Sequence, residues 1–474
     1  MTSPTDRQIG KALRKRLGED AVLTEVGDCW AYGYDNSRLQ SLPSAVVFPS
    51  DVVQVRDVVQ WCNASRIPLT ARGRGTGTAG AAVPEQRGIV LSTERLRATP
   101  HIDPANRLAV VRPGVTNAEL QQAAAEHGFF WPPDPTSSAV CSIGGNLACN
   151  AAGPRAVKYG TPRENTLGLR AVTGDGRMLQ TGVMTTKGVV GLDLTRLIIG
   201  SEGALAIITE ATLKLTPLPE ARQTLQLSYQ DVASAARAVA AIMAQPVTPC
   251  ALEFMDGRAI TMIRDYAEPD LDEGIGALLM IEVDGQRACI DDAVSAVVAA
   301  ARVDGLIEVA LADTPEKIER LWKTRKSLSP ALRNIAPKKI NEDVVVPVSR
   351  IPELISGLER LAREHAITIV NFGHAGNGNI HTNLLVNPDD EAEMRRAETC
   401  LSKVFDLVLQ LDGTLSGEHG IGLVKREFVA REIDPVTLEM MRRIKCQFDP
   451  NNILNPGKGL PAGSKQEGIS PSQS

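Results

Sequence analysis

Apolar positions along this chain follow two rhythms. The run 45–49 and the segment 67–71 are short and apolar, as strands are, while 51–63 repeats apolar residues at helical spacing behind Ser50, which predicts a helix capped by that serine. Further strands are predicted at 89–91, 108–112, 169–173 and 205–215, with a helix at 117–127. Between 131 and 170 the periodicity fails and Pro, Gly, Asn and Ser dominate. So long an irregular stretch inside a folded unit is either disordered or functional. Its small residues, Ser142-Ile-Gly-Gly-Asn146 and Asn150-Ala-Ala-Gly153, favour close backbone approach over disorder.

Pro217 and Pro219 mark a boundary. Past them, strands at 225–228, 251–255, 278–283 and 307–311 alternate with helices at 232–245 and 290–302. This is an α+β pattern, and it predicts helices on one face of an antiparallel sheet. Longer helices are expected at 315–334, 351–365 and 391–411, and the chain shows no internal repeat.

The 474 residues, 43% hydrophobic and 23% charged, are ample for two sizeable cores. A net charge of −5 supplies no positive field, so nucleic acid is not an expected partner. The first residues lack the apolar region of a secretory signal, and Arg237, Arg302 and Asp304 break the alanine-rich stretches, which argues against a membrane span. Eight cysteines without a CxxC pair read as reduced thiols of a cytoplasmic protein.

Thr70-Ala-Arg-Gly-Arg-Gly-Thr-Gly-Thr-Ala-Gly80 follows a predicted strand, and Gly75, Gly77 and Gly80 satisfy G-x-G-x-x-G. A dinucleotide fingerprint needs a helix directly after the glycines. Pro84 and Gly88 leave no room for one. What remains is a loop whose consecutive backbone N–H groups can cradle an anion, with Arg72 and Arg74 adding charge. The tracts Pro133-Asp-Pro-Thr-Ser-Ser138, Ser142–146 and Gly200-Ser-Glu-Gly-Ala204 with Ile207 can wrap other parts of one long ligand. Together they suit an extended dinucleotide better than a single phosphate.

Three of the six histidines lie in two glycine-rich motifs. In Asn371-Phe-Gly-His-Ala-Gly-Asn-Gly-Asn-Ile-His-Thr-Asn383, apolar runs flank Asn377-Gly378, the preferred type I′ hairpin pair. A loop of those two residues puts His374 opposite His381, with Cβ atoms about 4.5–5.5 Å apart, and Asn383 on the same face. The second motif, Gly413-Thr-Leu-Ser-Gly-Glu-His-Gly-Ile-Gly422, brackets Glu418 and His419 with glycines. Taken singly, a histidine is better read as a hydrogen-bonded core residue. Grouped like this beside an acid, His374, His381 and Glu418 make a His₂-carboxylate set for a divalent metal with open coordination positions.

These motifs resemble the flavoproteins of the vanillyl-alcohol-oxidase/p-cresol-methylhydroxylase type, and within them the D-2-hydroxy acid dehydrogenase branch. The resemblance spans roughly residues 30–460. It rests on Arg72-Gly-Arg-Gly-Thr-Gly77, Gly200-Ser-Glu-Gly203, Gly373-His…Gly378-Asn-Ile-His381, Ser416-Gly-Glu-His-Gly-Ile-Gly422 and Phe448-Asp-Pro-Asn-Asn-Ile-Leu-Asn-Pro-Gly-Lys458, all in order. It implies an N-terminal helical segment over 1–40, a two-subdomain FAD-binding domain over 41–219, an α+β cap domain with an antiparallel sheet and the metal site over 220–445, a segment over 446–460 that returns to the flavin, and a disordered tail over 461–474.

The same resemblance implies FAD contacts from Arg72, Gly73, Arg74, Gly75, Thr76, Gly77, Pro133, Asp134, Ser137, Cys141, Ile143, Gly144, Gly145, Asn146, Asn150, Gly153, Glu202, Gly203, Ile207 and Asn455. Thr76-Gly77-Thr78 offers no flavin-linking histidine, so FAD is expected to be non-covalent. Zn²⁺ is the implied metal, with Mn²⁺ also compatible with mixed N/O ligation. Asn377 stands where many relatives have Asp, a change neutral for a turn residue.

Arg325 in Leu321-Trp-Lys-Thr-Arg325 matches a substrate carboxylate binder, as does Lys339 (or its neighbour Lys338), and Asn383 is expected at the substrate. His419 is the candidate base, and the expected reaction is metal-assisted oxidation of a small 2-hydroxy acid, D-lactate first and glycolate or D-2-hydroxyglutarate as alternatives. Electrons would leave through a quinone, a cytochrome or an electron-transfer flavoprotein. A homodimer, and a peripheral place at the inner membrane, complete the expectations. An oxidase of phenols or sugar lactones, a non-catalytic electron-transfer subunit and a structural metal module are the rivals. None of them needs His374, His381, Glu418 and His419 together with the flavin segments.

Overall fold

The apolar run Ala45–Val47 is buried on both faces, as a strand inside a parallel arrangement must be. In the computed structural model, which describes residues 4–267, 274–312 and 314–461, it pairs in parallel with Ile89–Ser92, which pairs in parallel with Leu69–Arg72. Val22–Leu23 completes this four-stranded sheet on the other edge. The helix Val52–Ser65 covers it with Val55, Val58, Val59 and Cys62. Its cap is Asp51, whose carboxylate accepts the Gln54 N–H at 2.9 Å, and not the expected Ser50, which donates to the Gln54 side chain instead.

A second, five-stranded antiparallel sheet runs His101–Asp103, Leu108–Val111, Ala206–Lys214, Thr166–Thr173 and Met178–Gly182 in spatial order. The stretch 131–170, expected to be irregular, carries part of its cover. Ser142 caps the helix Ile143–Cys149, and a second helix forms at Ala156–Tyr159. Both are too short for an apolar period to register in the sequence. Gly144 is needed for contact, since a Cβ there would come within 2.6 Å of Pro113 Cβ.

A seven-stranded, wholly antiparallel sheet follows, drawn from Ala221–Tyr229 to Asn379–Val386. One face is apolar and buried under Val232–Ala244, Ile290–Ala301, Ile351–His365 and Glu391–Gln410, as the one-sided pattern predicts. The other face is not bare. Gly257–Ala267 and Pro315–Ile335 pack on Met255, Leu278, Val370, Phe372 and Leu385 over part of it. The uncovered part of that face carries the polar residues of the site. All eight cysteines are free thiols, in line with the sequence reading. The tail expected beyond Pro461 lies outside the described residues.

Candidate active site

His374 ends the strand Thr368–His374 and His381 lies within Asn379–Val386, but their register differs from the expected one. A 3₁₀ turn over Ala375–Asn377 closes the hairpin, with Gly378 in the left-handed region at φ +75°. His374 therefore pairs with Asn379, and His381 with Phe372. A slip of two residues keeps every side chain on its face, because strand side chains alternate with period two. The imidazoles meet diagonally instead of directly, with ring centroids 5.2 Å apart.

Glu418 reaches the same point from the glycine-rich loop, its Oε2 3.7 Å from His374 Nε2. One donor atom each from His374, His381 and Glu418 lies within 4.8 Å of the others. The chemistry of this trio fits a divalent cation. Burial disfavours a charged His374, yet the carboxylates of Glu253 and Glu418 push it up to about 10, so the spot calls for a positive charge. His381 is driven well below its ordinary value by burial and by the neighbouring positive charge of His374, which leaves its lone pair free. Its Nδ1 is buried without a hydrogen-bond partner.

The loop owes its shape to Asp343, which the sequence reading passed over. This fully buried carboxylate accepts the backbone N–H groups of Gly417, Glu418 and His419 at 2.9, 2.6 and 2.8 Å, and pairs with Lys425. Burial opposes its charge, but Lys425 and the Glu418 N–H hold it below the usual carboxylate range. His419 stacks on His381 with centroids 5.3 Å apart, and its Nδ1 sits 3.5 Å from Asp343 Oδ1. Burial lowers the His419 pKa against the pull of Asp343, so the imidazole is neutral and able to take a proton. Replacing Asp343 by Ala would orphan three N–H groups and leave Lys425 with only Glu342 and the Leu415 carbonyl. Asp343→Ala is expected to lose about 3–5 kcal/mol of stability, as breaking a buried ion pair does, and to lose metal because Glu418 is released. Thermal melting and metal content check both effects, and wild-type values for the pair would remove Asp343 from this role.

Arg325 is buried, its Nε and one amino group on Glu253 Oε2 at 2.7 Å each, with the guanidinium 5.0 Å over the Phe372 ring. Lys339 shares a strand face with Asn341, Asp343 and His381 and Lys338 alternates from it, yet both line the cavity. Asn383 is wholly buried. Its amide donates to the carbonyls of Val370 and His381 at 3.1 and 3.0 Å, and its oxygen accepts from Asn341 at 2.6 Å. It supports Asn341, which lines the cavity in its place.

That cavity, about 980 Å³, runs from the glycine loop to the histidines and also takes in Arg325 and Lys339. Its volume suits a large cofactor with a small substrate beside it. Arg72, Gly73, Arg74, Gly75, Thr76, Gly77, Asp134, Ser137, Gly144, Gly145, Asn146, Glu202, Gly203 and Ile207 line it. Gly75 takes φ +68°, and a Cβ there would strike the Arg72 guanidinium. Arg72 itself turns inward, its Nη1 donating to the Tyr34 carbonyl at 2.6 Å, and so clamps the N-terminal segment instead of offering free charge.

The remaining residues expected at the cofactor do not line the cavity. Pro133 accepts from Asn117, Cys141 and Ile143 are buried, and Asn150 ends its helix at φ +56°. Asn455 joins Ala81 and Glu202 through its amide, and Gly153 donates its N–H to Glu418 Oε1 at 2.8 Å. Asp35–Leu39, which no motif signalled, do line it, held to the glycine loop by the Asn36 N–H on the Gly77 carbonyl at 2.8 Å.

Comparison with known proteins gives the family and the fold. Residues 218–459 match the family of FAD linked oxidases, C-terminal domain, and residues 43–182 match a FAD binding domain. The chain is 36% identical to the glycolate oxidase subunit GlcD of Bacillus subtilis over 428 residues, 90% of this chain and 91% of that protein. It is 38% identical to a D-lactate dehydrogenase of Archaeoglobus fulgidus over 440 residues (90% and 95%), and 32% identical to a D-2-hydroxyglutarate dehydrogenase of Stutzerimonas stutzeri over 464 residues (96% and 99%). Among solved structures, p-cresol methylhydroxylase with substrate bound superposes with a TM-score of 0.78 at 21% identity, covering 96% of this chain and 97% of that one, which speaks for the fold.

Proposed function

Since the chain belongs to the FAD-linked oxidases of the D-lactate, glycolate and D-2-hydroxyglutarate dehydrogenase group, we propose that it oxidises a D-2-hydroxy acid, D-lactate first, to the 2-oxo acid. The observation that carries this reading is one cavity shared by the glycine loop, the His374–His381–Glu418 trio and Arg325. In this reading residues 41–219 bind FAD non-covalently and 220–445 form the cap. Bound there, the flavin is a hydride acceptor and a divalent metal, Zn²⁺ or Mn²⁺, a Lewis acid for the substrate oxygens.

His374, His381 and Glu418 hold the metal, while Arg325 and Lys339 fix the substrate carboxylate. His419, neutral and stacked on His381, accepts the hydroxyl proton, because with Nδ1 turned to Asp343 its other nitrogen is left for the cavity it lines. Glycolate is the second reading, favoured by the GlcD alignment. The electrons pass to a quinone, a cytochrome or an electron-transfer flavoprotein. No helix among the described residues is long and apolar enough to cross a membrane, and the proposal keeps the protein cytoplasmic and homodimeric.

Purified protein is expected to be yellow and to release FAD on denaturation. A panel of D- and L-2-hydroxy acids with a dye acceptor should show kcat/KM highest for D-lactate. If phenols or sugar lactones bleach the flavin and no 2-hydroxy acid does, the reading fails.

A further inference from the structure

Glu253 lies opposite His374 in the sheet register and is 1% exposed. Its two oxygens serve different partners: Oε1 is 2.5 Å from His374 Nδ1, and Oε2 accepts from Nε and Nη2 of Arg325 at 2.7 Å each. Burying a carboxylate costs several kcal/mol unless its lone pairs are used. Here they are used by one residue of the metal trio and by the residue assigned to the substrate carboxylate.

We propose that Glu253 is a positioning residue that sets both halves of the substrate site at once. An ionised carboxylate only accepts hydrogen bonds. Nδ1 of His374 must therefore donate, which frees Nε2, the nitrogen on the Glu418 side, to bind the metal. The same carboxylate takes the side edge of the Arg325 fork and leaves Nη1 for the cavity that Arg325 lines. Metal affinity and carboxylate recognition are thereby tied to one buried group. The inference rests on the metal site proposed above.

Glu253→Gln tests it, because an amide has one acceptor and one donor end. With its oxygen kept on Arg325, the amide turns an N–H toward Nδ1, which must then accept, and the imidazole proton moves to Nε2. Zn²⁺ affinity, measured by competition with a chromophoric chelator on the FAD-loaded protein, is expected to fall by about 10–100-fold relative to wild type. FAD absorbance should be unchanged, and KM for D-lactate at saturating Zn²⁺ should rise because Arg325 is less firmly held. Equal Zn²⁺ affinity in the two proteins overturns the proposal. Wild-type protein that takes neither Zn²⁺ nor Mn²⁺ overturns the metal site proposed above, and this inference falls with it.

Should the variant not fold, ¹⁵N-histidine spectra of the wild type decide. Only six histidines are present, so the His374 signals are resolvable by comparison with a His374 variant. A proton retained on Nδ1 when Zn²⁺ is added is the expected result. Loss of that proton to Zn²⁺ overturns the proposal.

Discussion

Dialysis against a strong chelator is expected to abolish D-lactate turnover while the oxidised-flavin spectrum stays intact. The two losses separate because the groups are held by different parts of the chain. The metal donors come from the hairpin 368–386 and the loop at 416–422, whereas the glycine loop and the 134–146 segment line the flavin part of the cavity. Without the metal the substrate hydroxyl keeps its ordinary high pKa, and two oxygens of the acid lose their anchor. Elemental analysis, visible absorbance and anaerobic bleaching read the three quantities on one sample. Zn²⁺ or Mn²⁺ should restore bleaching. Glu418→Ala is expected to copy the chelated state, since it removes one of the three donors. Full activity in demonstrably metal-free enzyme would end the ligand assignment.

How much of this was legible before any coordinates depended on whether the deciding contact was local. The two imidazoles were placed on one face by counting alternation through the hairpin, and that survives a register error of two. The register itself was not legible. Asn377-Gly378 looked like a two-residue turn, but the loop is a 3₁₀ turn, and Gly378 is required by its φ of +75° there and by the Val346 carbonyl, which a Cβ would strike. Glu253 left a weak mark, a charged residue in the mostly apolar strand Ala251–Asp256, and Asp343 left none, because its strand Lys338–Val345 is mostly polar. Their meaning comes from partners 76 and 121 residues away, brought near by a strand order that no local pattern encodes. Motif membership likewise did not tell a cavity-lining residue from a supporting one. Ile143 and Gly144 are adjacent in one motif, yet the first packs into the core and the second faces the cavity.

Replacing His419 by Ala is expected to slow flavin reduction by roughly two to four orders of magnitude, the usual cost of removing a general base, with FAD and metal both retained. Retention is expected because the loop does not depend on the imidazole. Asp343 holds the backbone N–H of residue 419, which alanine keeps, and Glu418 remains anchored by its own N–H on Asp343 and by the Gly153 N–H on its Oε1. The defect should appear in the rate of anaerobic flavin bleaching more than in substrate affinity, because proton abstraction belongs to the transition state. If His419 serves only to pack against His381, its loss should instead loosen that ring, lower the melting temperature and release metal. Comparing Glu418→Ala with His419→Ala separates the roles, since the first should lose metal and activity together and the second activity alone. A stable, metal-replete His419→Ala enzyme that reduces its flavin at the wild-type rate would take His419 out of the mechanism and leave the substrate proton to another acceptor in the cavity.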